Sequence, residues 1–169
     1  MIYFIIFINC VVFTLDLFGI FSVFKYSLLL SSNPKIYSFF TYAFFHSNFE
    51  HLFMNMASLF AFYKLLYFVK EKVLVFVYIF SLICAAIVYY FVNVHILHND
   101  FIMLGASAGV CAIIAYASFI LREIGFLFAI LLLSFVSIIL NDNVAWSAHI
   151  YGAFFGILCA FLQKKLKNP

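Results

Sequence analysis

The stretch Gly105-Ala106-Ser107-Ala108-Gly109 lies inside an apolar run that begins near Phe101 and lasts to about Leu121. A serine among small residues near the mouth of a hydrophobic helix has two meanings. Gly105 and Gly109 form a small-xxx-small pair, the common device by which two membrane helices approach closely. The same small neighbours leave room for a substrate backbone at a nucleophile. The stretch alone favours packing, and the rest of the chain must decide.

Of the 169 residues, 69% are hydrophobic and only 9% charged, against about a quarter charged in soluble domains. At about 20 apolar residues per span, this length holds about six helices with short loops. The fold class expected is all-α and polytopic, a bundle of six transmembrane helices over about residues 2–24, 43–69, 73–96, 101–121, 126–140 and 144–162. Residues 1–169 form one membrane domain in this reading. A net charge of +3 offers no basic face for nucleic acid. Cys10, Cys84, Cys111 and Cys159 lie in apolar runs without Cys-x-x-Cys spacing, so they read as buried thiols rather than a disulfide framework or a zinc site. The first residues lack a basic n-region and a small-residue cleavage site, and read as a retained span.

Asp16 is the one charge of span one, expected at an interface or facing other helices. The connection that follows carries loop signals at Ser31-Ser32-Asn33-Pro34-Lys35 and then aromatics from Tyr37 to Phe45. It is too apolar for an ordinary exposed loop and is expected to lie in or on the membrane. Lys70, Lys72, Arg122, Lys164, Lys165 and Lys167 would share one side of the membrane, with Lys64 nearby, and only Lys25 and Lys35 the other. The excess of basic residues places both termini in the cytoplasm.

With that orientation, spans two, four and six all start outside. Ser107 comes about six residues into span four and His149 about five into span six, on the order of 8–9 Å below the outer helix ends. His51 and Asn55, near the start of span two, reach a similar level. Polar groups from three helices thus converge on one layer. A serine hydroxyl becomes a nucleophile when a base within hydrogen-bond reach takes its proton, and histidine suits that task. His51 and Asn55 are four apart on one helix face, and both can donate hydrogen bonds to a developing oxyanion. The six carboxylates, Asp16, Glu50, Glu71, Asp100, Glu123 and Asp142, include none in span six. A Ser-His dyad is favoured over a triad. Gly152 and Gly156, after His149, repeat the spacing of Gly105 and Gly109 and would let spans four and six close on each other.

Three motifs, His46-x4-His51-x3-Asn55, Gly105-Ala106-Ser107 and Ala148-His149-x2-Gly152-x3-Gly156, fall in this order along the chain. Together they resemble the rhomboid family of intramembrane serine proteases over essentially the whole chain. The resemblance implies Ser107 as nucleophile and His149 as general base, then acid. It also implies an oxyanion hole of Asn55, His51 and the Ser107 N–H, and a structural role for His46 where loop meets helix. The connection between spans one and two would be the family's membrane-embedded first loop. No metal or cofactor is implied; the partners would be the lipid bilayer and transmembrane protein substrates, cut at small residues. The site would face outside the cytoplasm, in a prokaryotic cell membrane. Ala108 stands where the family commonly has glycine, Cys111 where it often has an aromatic stacked on the histidine, and the first loop has no Trp-Arg pair.

Other readings stay open. A relative that binds membrane clients without cutting them would keep the same motifs. A small transporter would line a path with polar groups through the bilayer, whereas here they gather in the outer half. A metalloprotease is disfavoured because His46 and His51, five apart, diverge by about 140° on a helix.

Overall fold

The computed structural model describes residues 1–139 and 145–167. Its elements are, in order, α1 (Ile2–Leu17), α2 (Lys25–Leu28), β1 (Leu30–Ser31), α3 (Ser38–Thr41), α4 (Phe49–Leu65), α5 (Glu71–Phe91), β2 (Ile102–Met103), α6 (Ser107–Leu121), α7 (Gly125–Ile139) and α8 (Trp146–Lys167). A 3-10 turn, Tyr42–Phe44, follows α3, and a π-helical segment, Val92–Ile96, extends α5. The turn expected at Asn141-Asp142-Asn143 and the start of span six at Val144 lie outside the described residues.

Helix α6 is the hub. It packs against α4, α5, α7 and α8, and α8 also lies along α5. Its composition explains this position: Ala108, Gly109, Cys111, Ala112, Ala115 and Ala117 are all buried, and small side chains let neighbouring backbones approach from every side. The closest approach is to α8. A Cβ on Gly152 would fall 2.1 Å from the Ala108 carbonyl oxygen, and one on Gly156 2.1 Å from that of Ala112. The pairs 108/152 and 112/156 advance together, so the two helices run parallel. Further along the seam the Tyr116 hydroxyl donates to Gln163 Oε1.

This corrects the expected use of the glycines. Gly105 and Gly109 do not face α8; Ala108 and Ala112 do. Gly109 is turned to α5, where a Cβ would meet the Tyr78 ring at 2.7 Å. Gly105 lies ahead of α6 in a turn described below.

Several helix starts and ends also differ from the expected spans, and three of them bear on the site. Helix α1 stops at Leu17 because Gly19, at φ +74°, closes a glycine cap in which Ile20 N–H donates to the Leu15 carbonyl and Gly19 N–H to that of Asp16. Helix α4 starts at Phe49, after the 3-10 turn. Helix α6 starts at Ser107 and not near Phe101, because Ile102 and Met103 are drawn into an antiparallel pair with β1, Met103 opposite Leu30 and Ile102 opposite Ser31. Hydropathy is blind to this difference, since an apolar extended segment scores like an apolar helix.

The connection between α1 and α4 is ordered and packed. Leu29, Leu30, Ser38, Tyr42 and Ala43 are buried in it, α3 rests on α5, and the Tyr42 hydroxyl donates to the Leu82 carbonyl at 3.1 Å. Asp16 finds its partner here, in Lys25 Nζ at 2.6 Å. Among the described residues many outward side chains are large and apolar, Phe4, Phe7, Phe53, Phe76, Phe154 and Phe161 among them, a surface suited to lipid. Glu71–Ile96, at 26 residues, and Trp146–Leu166, at 21, are long and apolar enough to cross a membrane; Ile2–Leu17 and Ser107–Leu121 are apolar but shorter.

The seam makes a sharp prediction. Gly156→Ala forces a methyl into a backbone carbonyl and should destabilise the bundle by at least about 1–3 kcal/mol. Gly125→Ala meets nothing within 4 Å and should be neutral. Thermal unfolding of the two variants in detergent checks both; equal midpoints would mean that α6 and α8 are not in contact at Gly156.

Candidate active site

Ser107 is the first residue of α6, so its backbone N–H belongs to the helix-start amides that no carbonyl one turn back can accept. The helix begins here because Gly105, two residues earlier, adopts φ +110°, a conformation that glycine takes without strain and other residues rarely take. The Gly105 N–H donates to the Tyr42 carbonyl at 3.1 Å, which fixes the turn to the 3-10 segment. The same glycine meets a second requirement. A Cβ on it would lie 2.7 Å from Cε1 and 2.8 Å from Nε2 of His51. Its bare Cα therefore seats the His51 ring against the chain just ahead of the serine.

His51 is aimed by the start of α4. Asn48 caps this helix, its Oδ1 accepting the His51 N–H at 2.8 Å. The ring then lies with Nδ1 3.2 Å from Ser47 Oγ and edge-on to the His46 ring, centroids 5.0 Å apart. His46 is buried at the junction that leads into α4. Asn55 sits one turn beyond His51 on the same helix, 6% exposed, and its Nδ2 has no hydrogen-bond partner among the described residues.

His149, the fourth residue of α8, approaches from the other side. Its Nε2 is 3.0 Å from Ser107 Oγ. Its Nδ1 is 3.4 Å from Ser134 Oγ on α7, and the Ser134 hydroxyl donates to the Ile130 carbonyl at 2.9 Å. A cavity of about 230 Å³ opens over this cluster, its walls including Tyr42, Ser47, His51, Met103, Gly105 and Ser107. A carbonyl group entering it would meet the serine hydroxyl with the His51 ring on its flank.

The structure thus brings Ser107, His149, His51 and Gly105 together, with Gly152 and Gly156 on the seam behind them. Gly109, on α6, faces α5 and not the site, and Asn55 is one turn along α4 from His51, not among the residues that line the cavity. Cys111, one turn along α6 from the serine, is buried with Ala115, Ile130 and Ala153, a small cluster where α6, α7 and α8 meet. Two serines that touch ring nitrogens, Ser47 and Ser134, escaped the sequence reading. Ser47 follows His46 directly and had a positional signal. Ser134 stands in a run of leucine, isoleucine and phenylalanine and had none.

A family model described as Rhomboid domain matches residues 33–165. No curated protein matches the chain. The match takes in every element from α3 to α7 and nearly all of α8, and with them all the residues of the cluster. The chain belongs to the rhomboid family, intramembrane-protease-like integral membrane proteins built as a polytopic helical bundle.

Proposed function

We propose that this protein is an intramembrane serine endopeptidase that hydrolyses peptide bonds in or near the outer part of its clients' transmembrane helices. The observation that carries the proposal is the 3.0 Å contact between Ser107 Oγ and His149 Nε2, made across two helices whose backbones touch one turn deeper. In this reading Ser107 attacks the scissile carbonyl as His149 Nε2 takes its proton. The negative charge that develops on the carbonyl oxygen falls to the Ser107 N–H at the start of α6, to His51 and to Asn55, whose Nδ2 is a buried donor without a partner among the described residues. His149 then gives its proton to the leaving amine and takes one from the water that frees the serine. A client must present this bond locally unwound, since an intact helix holds its carbonyls in its own hydrogen bonds.

The membrane arrangement in this proposal has six spans, α1 and α4 to α8, with both termini in the cytoplasm of a prokaryotic cell and the cavity facing outside. The sidedness of lysine and arginine supports it. Helix α6, at 15 residues, covers only about 22 Å at 1.5 Å per residue. The chain ahead of it is tied into the β1–β2 pair and the Gly105–Tyr42 hydrogen bond. Non-helical backbone is tolerated at membrane depth where protein satisfies it in this way.

Labelling of the detergent-solubilised protein with a serine-reactive fluorophosphonate tests the proposal. Label should appear on the wild type and vanish in Ser107→Ala and His149→Ala. A folded wild type that takes no label would favour a relative that binds clients without cutting them. Asn55→Ala should keep the fold and slow hydrolysis by about 10²–10³ in kcat, the usual cost of one oxyanion donor; unchanged turnover would remove Asn55 from the site. A tag on the C-terminus should resist protease added outside intact cells, and digestion there would reverse the orientation.

A further inference from the structure

We propose that Ser134 is a positioning residue that sets the tautomer of His149, making the working unit a hydrogen-bonded chain Ser107–His149–Ser134 across α6, α8 and α7. The inference rests on the hydrolytic reading above and deepens it. A neutral imidazole has one N–H and one bare nitrogen, and only the ring with its proton on Nδ1 leaves Nε2 free to accept from the serine. In a serine hydrolase triad a carboxylate beside Nδ1 enforces that choice. Among the described residues no carboxylate contacts His149, and Ser134 occupies the place beside Nδ1.

A hydroxyl beside a ring nitrogen is ambiguous, since it can donate or accept. The geometry resolves the ambiguity. The Ser134 oxygen lies 2.9 Å from the Ile130 carbonyl oxygen and 3.4 Å from His149 Nδ1. A carbonyl only accepts, so the shorter contact is where the serine proton resides. The Ser134 oxygen is then left with lone pairs toward the ring, and Nδ1 must carry the hydrogen to make a favourable contact. Ser107 can in turn donate to Nε2 at 3.0 Å. In this arrangement three hydrogens each find an acceptor. In the reverse arrangement Ser134 donates to Nδ1, Nε2–H donates to Ser107, and the serine hydrogen has no acceptor among the described residues. The reverse arrangement also gives up the shorter Ser134–Ile130 contact, and partly buried polar groups favour the arrangement that leaves fewest unpaired within the protein.

When His149 takes the Ser107 proton it becomes an imidazolium with two N–H donors. The Nδ1–H stays on the Ser134 oxygen, and no proton leaves Ser134. The residue therefore assists without exchanging a proton or touching substrate.

Nitrogen-15 spectra of the full chain in detergent, labelled at histidine, read the tautomer directly; the His149 signal is the one lost in His149→Ala. Above the usual histidine range of about pH 6.5, the wild-type ring should carry its proton on Nδ1. In Ser134→Ala the proton should redistribute toward Nε2, and the rate of fluorophosphonate labelling should fall about tenfold, the equivalent of one ordinary hydrogen bond. Ser134→Thr, which keeps the hydroxyl, should restore both readings. Ser134→Cys, near in volume but a poor acceptor, should behave as alanine does and replaces it should Ser134→Ala fail to fold. A wild-type proton on Nε2, or an unchanged tautomer and rate in both variants, overturns the proposal. A tautomer that shifts as described in a protein that never takes label would leave Ser134 in place and remove the hydrolytic reading instead.

Discussion

The contact on which the arrangement depends is the one between two backbones, Gly152 against the Ala108 carbonyl and Gly156 against that of Ala112. Between lipid-embedded helices there is little hydrophobic force to gain, because lipid tails are as apolar as leucine. Association rests on close packing, and the glycines on α8 allow it without a side chain in the gap. The residues that matter chemically are anchored to this seam. Ser107 directly precedes Ala108, and His149 lies three residues before Gly152, on the same face of α8. Once the two pairs of small residues are in register, the serine and the histidine have almost no freedom left. The 3.0 Å separation between them is a consequence of packing one turn away.

The opposite wall of the site is built by different means. Helix α4 meets the site end-on, and its position is set by a cap, Asn48 to the His51 N–H, and by the void that Gly105 leaves for the His51 ring. A helix start offers free N–H groups and the positive end of a dipole. Both α4 and α6 begin at the cavity, so the region where the proposed oxyanion would form is bordered by two helix starts. The apolar extended segment before α6 is what makes this possible. Had the helix begun near Phe101, Ser107 would sit inside a regular helix with its N–H already committed to the carbonyl of Met103.

Most of this was legible in the sequence, and for a physical reason. Polar residues are rare in an apolar bundle, so His46, His51, Asn55, Ser107 and His149 stand out against their surroundings, and the order of their motifs carried the family. The glycines of α8 were legible because glycine in a membrane helix marks close approach. The partner surface was not, since Ala108 and Ala112 are small but unremarkable in a helix that contains four alanines. The glycines that drew attention, Gly105 and Gly109, serve a turn and a tyrosine. Helix limits were hidden for a related reason: hydropathy records where the chain avoids water and not whether it is coiled or extended. Ser134 was invisible, because a serine that donates to the carbonyl four residues back is a common way for a helix to carry a hydroxyl in apolar surroundings.

Cys111 and Ser134 are linked through one packing contact. Cys111 stands where the family resemblance implies an aromatic ring, and its side chain is packed with Ile130 of α7 and Ala153 of α8. A ring at position 111 would need the space those two residues fill. With a small thiol there instead, Ile130 lies against α6, and α7 comes with it. Ser134 is one turn further along α7 from Ile130, bound to its carbonyl, and is thereby brought beside His149 Nδ1. The family resemblance implies a ring stacked on the face of the histidine. In the proposed arrangement the His149 ring is held instead at its edge, by the Ser134 hydroxyl.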